Sequence, residues 1–525
     1  MSAADLLTGK GELRMAEKAK AIGICGIVLL LSVINLSGSD LRLVEAVRSR
    51  DREAVRSLLE QKADVNAPQA DGTTALAWAA HWDDLDTADA LLRAGARVNA
   101  ANDYGVTALS LACTNGSAAM IEKLLQAGAD PKLSLPTGET PLMTTSRTGS
   151  LDAVKLLLAR GVDVNAKETL GQTALMWAVA RKHAAVAKAL VERGADVHAR
   201  SKGGFTPLLF AARAGDVNSA RVLLEAGANV NETTVDGMSV LLLAAASGHE
   251  DLAIFLVEKG ADPNATDAYG IAALHSAMQK GLSILGAVQY VPVAQYLFRP
   301  NMRELVKALL AHGANPNARI EKPKKLSLSV SSRASMAGAT PFLLASATGD
   351  VSLMRLLAAS GADPVLATTQ NVTPLMVAAG IGRLQDRRGE EEERNALEAA
   401  KVALEMGNDV NAVNDNGRTA LYGAASSGGN AIVEFLVEQG AKVNAKDKFG
   451  MSPWNLAAGV LAPNVLNSDK LNPIHQSTAD LLVKLGAVPM TQEEANALGA
   501  IPSGRPPGDY PETETPPQPR QRSTQ

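Results

Sequence analysis

Residues 204–231 read GFTPLLFAARAGDVNSARVLLEAGANVN, and the architecture of the chain follows from this unit. It predicts a short Ala-rich helix, followed by a second helix that carries the paired apolar residues Leu223 and Leu224. Thr206 is the expected N-cap of the first helix, because its hydroxyl can accept a backbone N–H bond. Pro207 fits the next position, where no donor is needed. Gly227 is the expected left-handed stop of the second helix.

The unit recurs along most of the chain with a period of 33 residues. We take the capping position as the anchor of each unit. The first six steps between anchors are 33 residues each, and the later gaps of 68 and 46 are one period plus insertions of 35 and 13. The anchors are Thr74, Thr107, Thr140, Thr173, Thr206, Ser239, Ala272, Thr340, Thr373, Thr419 and Ser452. A fixed period of this length predicts a repeat protein whose modules stack on their neighbours.

These units resemble the ankyrin repeat. The T-P-L core at 206–208 and the leucine pair before G-A-N-V-N at 223–231 are similar to that family's pattern and period. The resemblance covers about residues 40–489 and implies an all-α solenoid of about twelve repeats, with short β-hairpin arms between repeats. Residues 40–66 form a degenerate first repeat that acts as a cap. The family's His after the Leu is kept only at His275, so we expect stability to depend more on apolar packing.

One polar position recurs in the same register. In the ankyrin family, such side chains satisfy backbone groups between adjacent hairpins, and we expect this structural role here rather than a row of ligands. The residues are Asn66, Asn99, Asn165, Asn231, Asn264, Asn317, Asn411 and Asn444.

Residues 1–39 predict an export signal or a membrane anchor. Basic residues precede an uncharged apolar stretch at 21–36, and small residues follow it, which is typical of a secretory signal peptide. Its 16 residues are fewer than the roughly 20 that span a bilayer core. We expect export to a periplasmic or extracellular space. The alternatives are a membrane anchor, if 21–36 is not cleaved, and a true start at Met15.

Three insertions separate the first and second helices of their units and should emerge on one edge of the solenoid, at about 282–301, 382–394 and 460–472. The first is aromatic, and it either packs on the solenoid edge or contacts a partner. The second is strongly charged and predicts a solvated helix. A further loop at 319–336 is expected to be flexible, and the Pro-rich tail at 490–525 to be disordered.

No motif for catalysis or metal binding is found in the sequence. It has no nucleophile elbow, phosphate-binding loop or zinc-protease motif. The net charge of −4 gives no reason to expect a nucleic-acid partner. Two cysteines exclude a disulfide framework, and Cys113 is expected in the core. His183 and His249 share a register two units apart, about 20 Å, which is too far to share a metal. We expect no catalytic residue, no metal and no cofactor.

The remaining candidate is a surface for a protein partner. The resemblance implies a concave face made of the hairpin tips and the exposed ends of the first helices. Aromatic residues and arginine dominate binding energy at interfaces, and they recur on this face in a chain with only 3% aromatic residues. The predicted partner-binding residues are Trp82, Tyr104, Leu170, Arg181, Phe205, Arg213, Met238, Tyr269 and Ile271.

The sequence therefore predicts a non-catalytic, monomeric scaffold that binds a protein or peptide on a preorganised surface. One alternative is a secreted effector or inhibitor that blocks a target enzyme through the same surface. A remote alternative is an enzyme whose site lies in the insertions.

Overall fold

The computed structural model describes residues 40–284, 300–321, 337–382, 389–465 and 473–499. Short helices, arranged in consecutive pairs, make up most of these ranges, and the all-α fold class is confirmed. The helices are α1 (Arg42–Arg48), α2 (Arg52–Glu60), α3 (Ala75–His81), α4 (Leu85–Arg93), α5 (Ala108–Asn115), α6 (Ala118–Gln126), α7 (Pro141–Thr148), α8 (Leu151–Ala159), α9 (Ala174–Ala180), α10 (Ala184–Glu192), α11 (Pro207–Ala214), α12 (Val217–Glu225), α13 (Val240–Ala246), α14 (Glu250–Glu258), α15 (Ala273–Ala277), α16 (Gln279–Ile284), α17 (Arg303–Ala311), α18 (Pro341–Thr348), α19 (Val351–Ala359), α20 (Pro374–Ala379), α21 (Glu390–Glu405), α22 (Ala420–Ser427), α23 (Asn430–Glu438), α24 (Pro453–Ala458), α25 (Gln476–Lys484) and α26 (Gln492–Gly499).

The first helix of most units begins at the predicted cap. In α11, the Leu209 N–H donates to Thr206 Oγ1 at 3.3 Å, and Pro207 is the first helical residue. Ala272 has no hydroxyl, and there the imidazole Nδ1 of His275 accepts the Ala272 N–H at 3.1 Å instead. The hydroxyl cap recurs at Thr74, Thr107, Thr140, Thr173, Ser239, Thr340 and Thr373.

The turns require left-handed backbone, which explains why glycine recurs there. Gly204 has φ of 78°, and a Cβ on it would lie 2.3 Å from Val235 Cγ2 of the next hairpin. Asn371 and Lys62 stand where other units have glycine, and both also adopt positive φ, 57° in each case. The register therefore sets the backbone conformation even where the residue type changes.

The first helices pack on one another in one row, and each also packs on the second helix of its own unit. One hydrophobic cluster runs through these contacts from Leu43 to Ala487. Fully buried alanines such as Ala79, Ala178 and Ala211 lie where the helices approach, and small side chains allow that approach. Cys113 lies in the same core, as predicted, and burial raises the pKa of its thiol to about 12.

The extended arms in the described ranges do not form regular β-strands. In the described ranges, the pairing across an arm is limited to isolated antiparallel bridges such as Ala101 with Thr107. Side chains add to this backbone pairing: Asn102 Oδ1 accepts the N–H groups of Tyr104 and Val106 at 3.0 and 2.9 Å. The arm tips are therefore closed by backbone bonds, such as that from the Asn102 N–H to the Val106 carbonyl at 3.0 Å, together with side-chain turns.

The recurring asparagines link successive units, and their predicted structural role is confirmed. Asn165 Nδ2 donates to the Gly194 carbonyl at 3.0 Å, and its Oδ1 accepts the Asp196 N–H at 2.8 Å. The same two bonds are made by all eight residues of the register. We call this set of paired bonds the asparagine ladder.

Helix α16, which leads into the first insertion, lies near the start of the second insertion's helix. Helix α16 packs on α18, where a Cβ on Gly281 would lie 2.6 Å from the Leu344 carbonyl oxygen. The charged run of the second insertion forms the start of α21, a 16-residue helix, which confirms the helical prediction for Glu390–Glu393. Lys280 Nζ, two residues before the first insertion, lies 3.9 Å from Glu392 Oε1 in the second.

The predicted tail begins too early. Residues 492–499 form α26, whose Ala495 is buried and whose Leu498 lies against Gly450. The helix starts at a reciprocal cap, because Glu494 accepts the Thr491 N–H at 2.7 Å and donates its own N–H to Thr491 Oγ1 at 3.2 Å.

Several predictions fall on residues that the structure does not describe. These are the export signal or anchor at 1–39, the aromatic part of the first insertion, most of the loop at 319–336, parts of the other two insertions, and the tail from residue 500. Among the helices of the described ranges, none combines the length and the apolar character needed to cross a membrane.

Candidate partner-binding face

Three positions of the unit meet on one surface: the residue before the anchor and the residues four and seven after it. In the unit of α7 these are Glu139, Thr144 and Arg147. Thr144 Oγ1 donates to Glu139 Oε1 at 2.7 Å, and an Arg147 guanidinium nitrogen lies 3.6 Å from the same oxygen. The hairpin tip and the end of the first helix therefore form one continuous surface.

The unit of α11 places aromatic rings at the same positions. Phe205 and Phe210 have ring centroids 5.6 Å apart, and the guanidinium carbon of Arg213 lies 5.3 and 4.9 Å from them. Arg147 reaches across to the next unit, where its guanidinium carbon is 5.0 Å from the Trp177 ring. Contacts of this kind stabilise by about 0.5–2 kcal/mol each. We call these five residues the arginine–aromatic cluster.

Two histidines hold the helix ends that carry these arginines. His183 Nε2 lies 3.1 Å from the Arg147 carbonyl oxygen, and His249 Nε2 lies 3.1 Å from that of Arg213. Each ring packs against the glycine that ends the helix, where a Cβ would come within 2.5 Å (Gly149) or 2.4 Å (Gly215). The two histidines therefore position the backbone of the arginines from the following unit.

A second group of rings lies at the end of α3. Trp78 and Trp82 are stacked with centroids 6.1 Å apart, and His81 lies edge-on to Trp82 at 4.6 Å. Trp82 Nε1 donates to the Arg48 carbonyl at 3.2 Å, and the Arg50 guanidinium is 5.5 Å from its ring. Trp82 remains 38% exposed, so it presents an aromatic surface to solvent.

Two family models match the chain along most of its length. The model described as ankyrin repeats (3 copies) matches residues 43–134, 120–201, 199–267 and 392–479, and the model described as ankyrin repeats (many copies) matches 241–298. Together they span more than half of the 525 residues. The chain belongs to the ankyrin-repeat family. Ankyrin repeats mediate binding to protein partners, and the fold is typically a non-catalytic interaction module.

One known sequence and one solved structure are similar to parts of this ankyrin-repeat chain. Alpha-latroinsectotoxin-Lt1a of Latrodectus tredecimguttatus is 36% identical over 121 residues, which are 22% of this chain and 7% of the toxin. The chain thus matches only a small part of that relative's length. The crystal structure of the human ASB11 ankyrin repeat domain is 30% identical with a TM-score of 0.38, covering 41% of this chain and 96% of that domain.

The structure brings two of the predicted partner-binding residues into contact, Phe205 and Arg213. Tyr104 and Leu170 are 67% and 46% exposed at separate hairpin tips. Arg181 is exposed directly after α9.

The other predicted tip residues are less accessible. Met238, Tyr269 and Ile271 are half-buried, and Ile271 packs against the core of the ankyrin array. The Tyr269 carbonyl accepts the Glu321 N–H at 2.9 Å, which fixes this tip against the following arm.

Sequence reasoning missed the ring-bearing position four residues after the anchor. It holds Trp78, Trp177 and Phe210, and the two tryptophans are 99 residues apart, three ankyrin periods. That spacing, in a chain poor in aromatic residues, was the available signal. Trp177 Nε1 is shielded from solvent and has no hydrogen-bond partner among the described residues.

In the described ranges, no group of three or more His, Cys, Asp or Glu side chains could hold a metal ion. Burial lowers the pKa of His275 to about 4, against hydrogen bonds to backbone groups that favour its charged form. Burial also raises the pKa of Glu232, whose carboxylate accepts the Thr206 hydroxyl at 2.6 Å. Both side chains support the ankyrin hairpins.

Proposed function

We propose that this ankyrin-repeat protein, an array of about twelve repeats, is a non-catalytic and monomeric scaffold that binds a protein or peptide along its concave face. The observation that supports this is the arginine–aromatic cluster, where hairpin tips and helix ends join into one surface. Arginine and aromatic side chains carry most of the binding energy at protein interfaces. Here they are placed side by side across consecutive units.

The cluster is also preorganised. Arg213 is stacked on two rings, and the carbonyl end of its helix is held by His249. A side chain that is already fixed avoids the roughly 0.5–1.5 kcal/mol that ordering it on binding would cost. A partner therefore meets a surface whose main contact residues lose little conformational entropy.

Export remains part of the proposal, and it rests on residues 1–39 alone. The apolar segment 21–36 would direct the chain to a periplasmic or extracellular space, or hold it at a membrane if it is not cleaved. N-terminal sequencing of the mature protein tests this. A start near Asp40 supports release after export, whereas an intact Met1 or Met15 contradicts it.

Affinity capture with the full-length protein tests the binding face. We expect Phe205→Ala combined with Tyr269→Ala to weaken binding of a captured partner by at least tenfold, about 1.4 kcal/mol. The matched control is Val413→Ala, which removes an apolar side chain that is 54% exposed in an arm away from the cluster. Circular dichroism confirms that each variant is folded. Equal capture by the double variant and the wild type would reject the proposed face.

The identity of the captured partner separates two forms of this function. An enzyme whose activity falls on binding would make the protein an inhibitor, and a partner that is only tethered would make it a scaffold.

A further inference from the structure

The hairpin arm at 130–139 lacks a side-chain contact that other arms have. Five residues before the anchor, these arms carry a polar side chain whose oxygen accepts backbone N–H groups of its own tip. Glu168, for example, accepts the Leu170 and Gln172 N–H groups, each at 2.8 Å. Leu135 stands at this position in the arm before α7, and its side chain has no acceptor atom. The residues that make the contact elsewhere are Asn102, Ser201, Thr234, Asp267, Thr368, Asn414 and Asp447.

The same arm also lacks a bond between tips. The tips of successive arms are commonly joined by a backbone hydrogen bond, such as that from the Thr169 N–H to the Thr137 carbonyl at 2.9 Å, which we call the tip bond. Pro136 stands in the position of Thr169, and proline has no N–H, so it cannot donate a tip bond to the Tyr104 carbonyl. The two tips still touch, since a Cβ on Gly105 would lie 2.9 Å from Pro136 Cδ.

The asparagine ladder is interrupted at the same junction between units. Lys132 occupies its register and has no acceptor atom in its side chain. Within the described ranges, every other pair of consecutive units keeps at least one of the two kinds of bond. Where His198 interrupts the asparagine ladder, the Lys202 N–H makes a tip bond to the Leu170 carbonyl at 2.8 Å. Between the units of α11 and α13, Asn231 makes both ladder bonds, at 3.3 and 2.8 Å.

The contacts that remain at this junction lie among the helices. Helix α5 packs on α7, and α6 packs on α8. Arg160, directly after α8, donates from Nη1 to the Leu125 carbonyl of α6 at 3.0 Å. The Cys113 and Thr145 side chains are hydrogen-bonded in the core. The junction is therefore held on the helix side, whereas on the arm side both kinds of bond between units are missing.

This junction divides the proposed binding face. The stacked rings of Trp78 and Trp82 lie on its N-terminal side, and the arginine–aromatic cluster begins on its C-terminal side at Arg147. In a repeat array each unit contacts only its neighbours, so a rotation at one junction moves all the units on one side together. Hinges of this kind consist of a few loop residues that absorb the change in backbone angles.

We propose that the junction between the unit of α5 and α6 and the unit of α7 and α8 is a hinge that opens at the arm 130–139. Its motion changes the distance between the stacked tryptophans and the arginine–aromatic cluster, with the helix contacts as the axis. A partner that contacts both groups selects the separation that it fits. The inference goes beyond the proposed binding function, because it concerns a motion of the free protein.

Double electron–electron resonance on the full-length protein measures this motion. Spin labels are attached at exposed, equivalent positions of the second helices, through Arg56→Cys with Lys188→Cys across the hinge and Lys155→Cys with Lys307→Cys as the control pair. Each pair spans four junctions, and only the first pair includes the hinge. Both carry Cys25→Ser, while the native thiol of α5 is fully buried and escapes labelling. We expect the distance distribution across the hinge to be at least twice as wide. Equal widths would overturn the inference.

A repaired hinge tests the cause of the motion. Lys132→Asn with Pro136→Thr supplies both missing groups and should narrow the distribution across the hinge to the width of the control pair. The matched control is Lys132→Ala, which removes the same charge without supplying either bond and should leave the distribution wide. Equal widths in the repaired variant and in Lys132→Ala would reject the missing bonds as the cause.

The converse variant creates a hinge at the next junction. Asn165→Ala with Thr169→Pro removes both kinds of bond between the units of α7 and α9, and Pro136 shows that this arm position accommodates proline. It should widen the distribution of the control pair at least twofold, with circular dichroism confirming the fold. An unchanged width would also overturn the inference. Capture with the Phe205→Ala and Tyr269→Ala variant tests the binding face separately, so either proposal can fail while the other holds.

Discussion

Replacing Lys132 by Asn should add a missing member to the asparagine ladder. Lys132 occupies the register of the ladder but cannot make its two side-chain bonds. Its backbone already has the required turn, because the Lys132 N–H donates to Asp130 Oδ1 at 2.9 Å, as the Asn165 N–H does to Asp163 at 2.9 Å. An asparagine at 132 would face the Gly161 carbonyl and the Asp163 N–H, the counterparts of the groups that other ladder members bind.

The expected gain is small but measurable. Two hydrogen bonds contribute about 0.5–1.5 kcal/mol each, and ordering an exposed side chain offsets part of this, which leaves about 1 kcal/mol. The entropy of unfolding is about 2.1 cal/mol/K per residue, and it is therefore large for an array of this length. A gain of about 1 kcal/mol in the free energy of unfolding then raises Tm by only about 1 °C. Thermal melting is therefore a poor assay, and a local measurement is needed.

Native-state hydrogen exchange of the Asp163 amide is the suitable measurement. About 1 kcal/mol of added local stability should slow its exchange roughly fivefold. Lys132→Ala is the control, because it removes the same charge without supplying an amide, and should leave exchange unchanged or faster. Asn165→Ala should speed exchange at Asp196, whose N–H it now binds at 2.8 Å. The reasoning fails if the Asp163 amide exchanges at the same rate in Lys132→Asn and Lys132→Ala.

Three further predictions concern packing, buried charge and pH. Gly215→Ala should lower the free energy of unfolding, measured by urea titration, by about 1–3 kcal/mol, because its Cβ would lie 2.4 Å from the imidazole of the next unit at a φ of 71°. Gly227→Ala is the control: nothing lies within 4 Å of its new Cβ, so it should lower the free energy of unfolding by less. Asp447→Asn should lower the free energy of unfolding by about 3–5 kcal/mol, because it removes the negative charge 3.0 Å from the buried Arg418 guanidinium, which is 8% exposed. A decrease of less than about 1 kcal/mol would contradict this. His275 has a pKa of about 4 in the folded protein, below its ordinary 6.5, so between these pH values the unfolded chain binds the extra proton. The free energy of unfolding should therefore fall by about 3 kcal/mol as pH drops from 6.5 to 4. In denaturant titrations at several pH values, His275→Met should flatten this pH dependence.

Local rules explain most of what the sequence predicted correctly. Thr206 and Pro207 define a helix start from two adjacent residues, and the cap is present in the structure. Lys62 and Asn371 adopt positive φ because their position in the unit requires it. The asparagine ladder follows in the same way, since each member binds the glycine that ends the second helix of the next unit and the residue two after that glycine. Features set within one period, or between one period and the next, could be predicted from the register.

Features that depend on how helices rotate against each other were missed. The contact of Arg147 with Trp177 joins two units. No pattern within one unit indicates that the Trp177 ring lies under the guanidinium of Arg147 from the preceding unit. Helix α26 was missed for another reason, because its apolar residues are few. Its Thr491 and Glu494 capping box was nevertheless a readable signal of a helix start.

The array separates the residues that hold it together from the residues that vary on its face. Caps, left-handed turns and the asparagine ladder repeat from unit to unit and fix the backbone, and the same three positions meet in the units of α7 and α11. Those positions then differ in chemistry: Glu139, Thr144 and Arg147 form a polar group, whereas the equivalent residues of α11 and its hairpin form a ring pair under an arginine. A substitution on the face should therefore change binding with little effect on stability, and a substitution in the ladder should do the reverse. The two classes of variant can be separated by measuring both quantities on each.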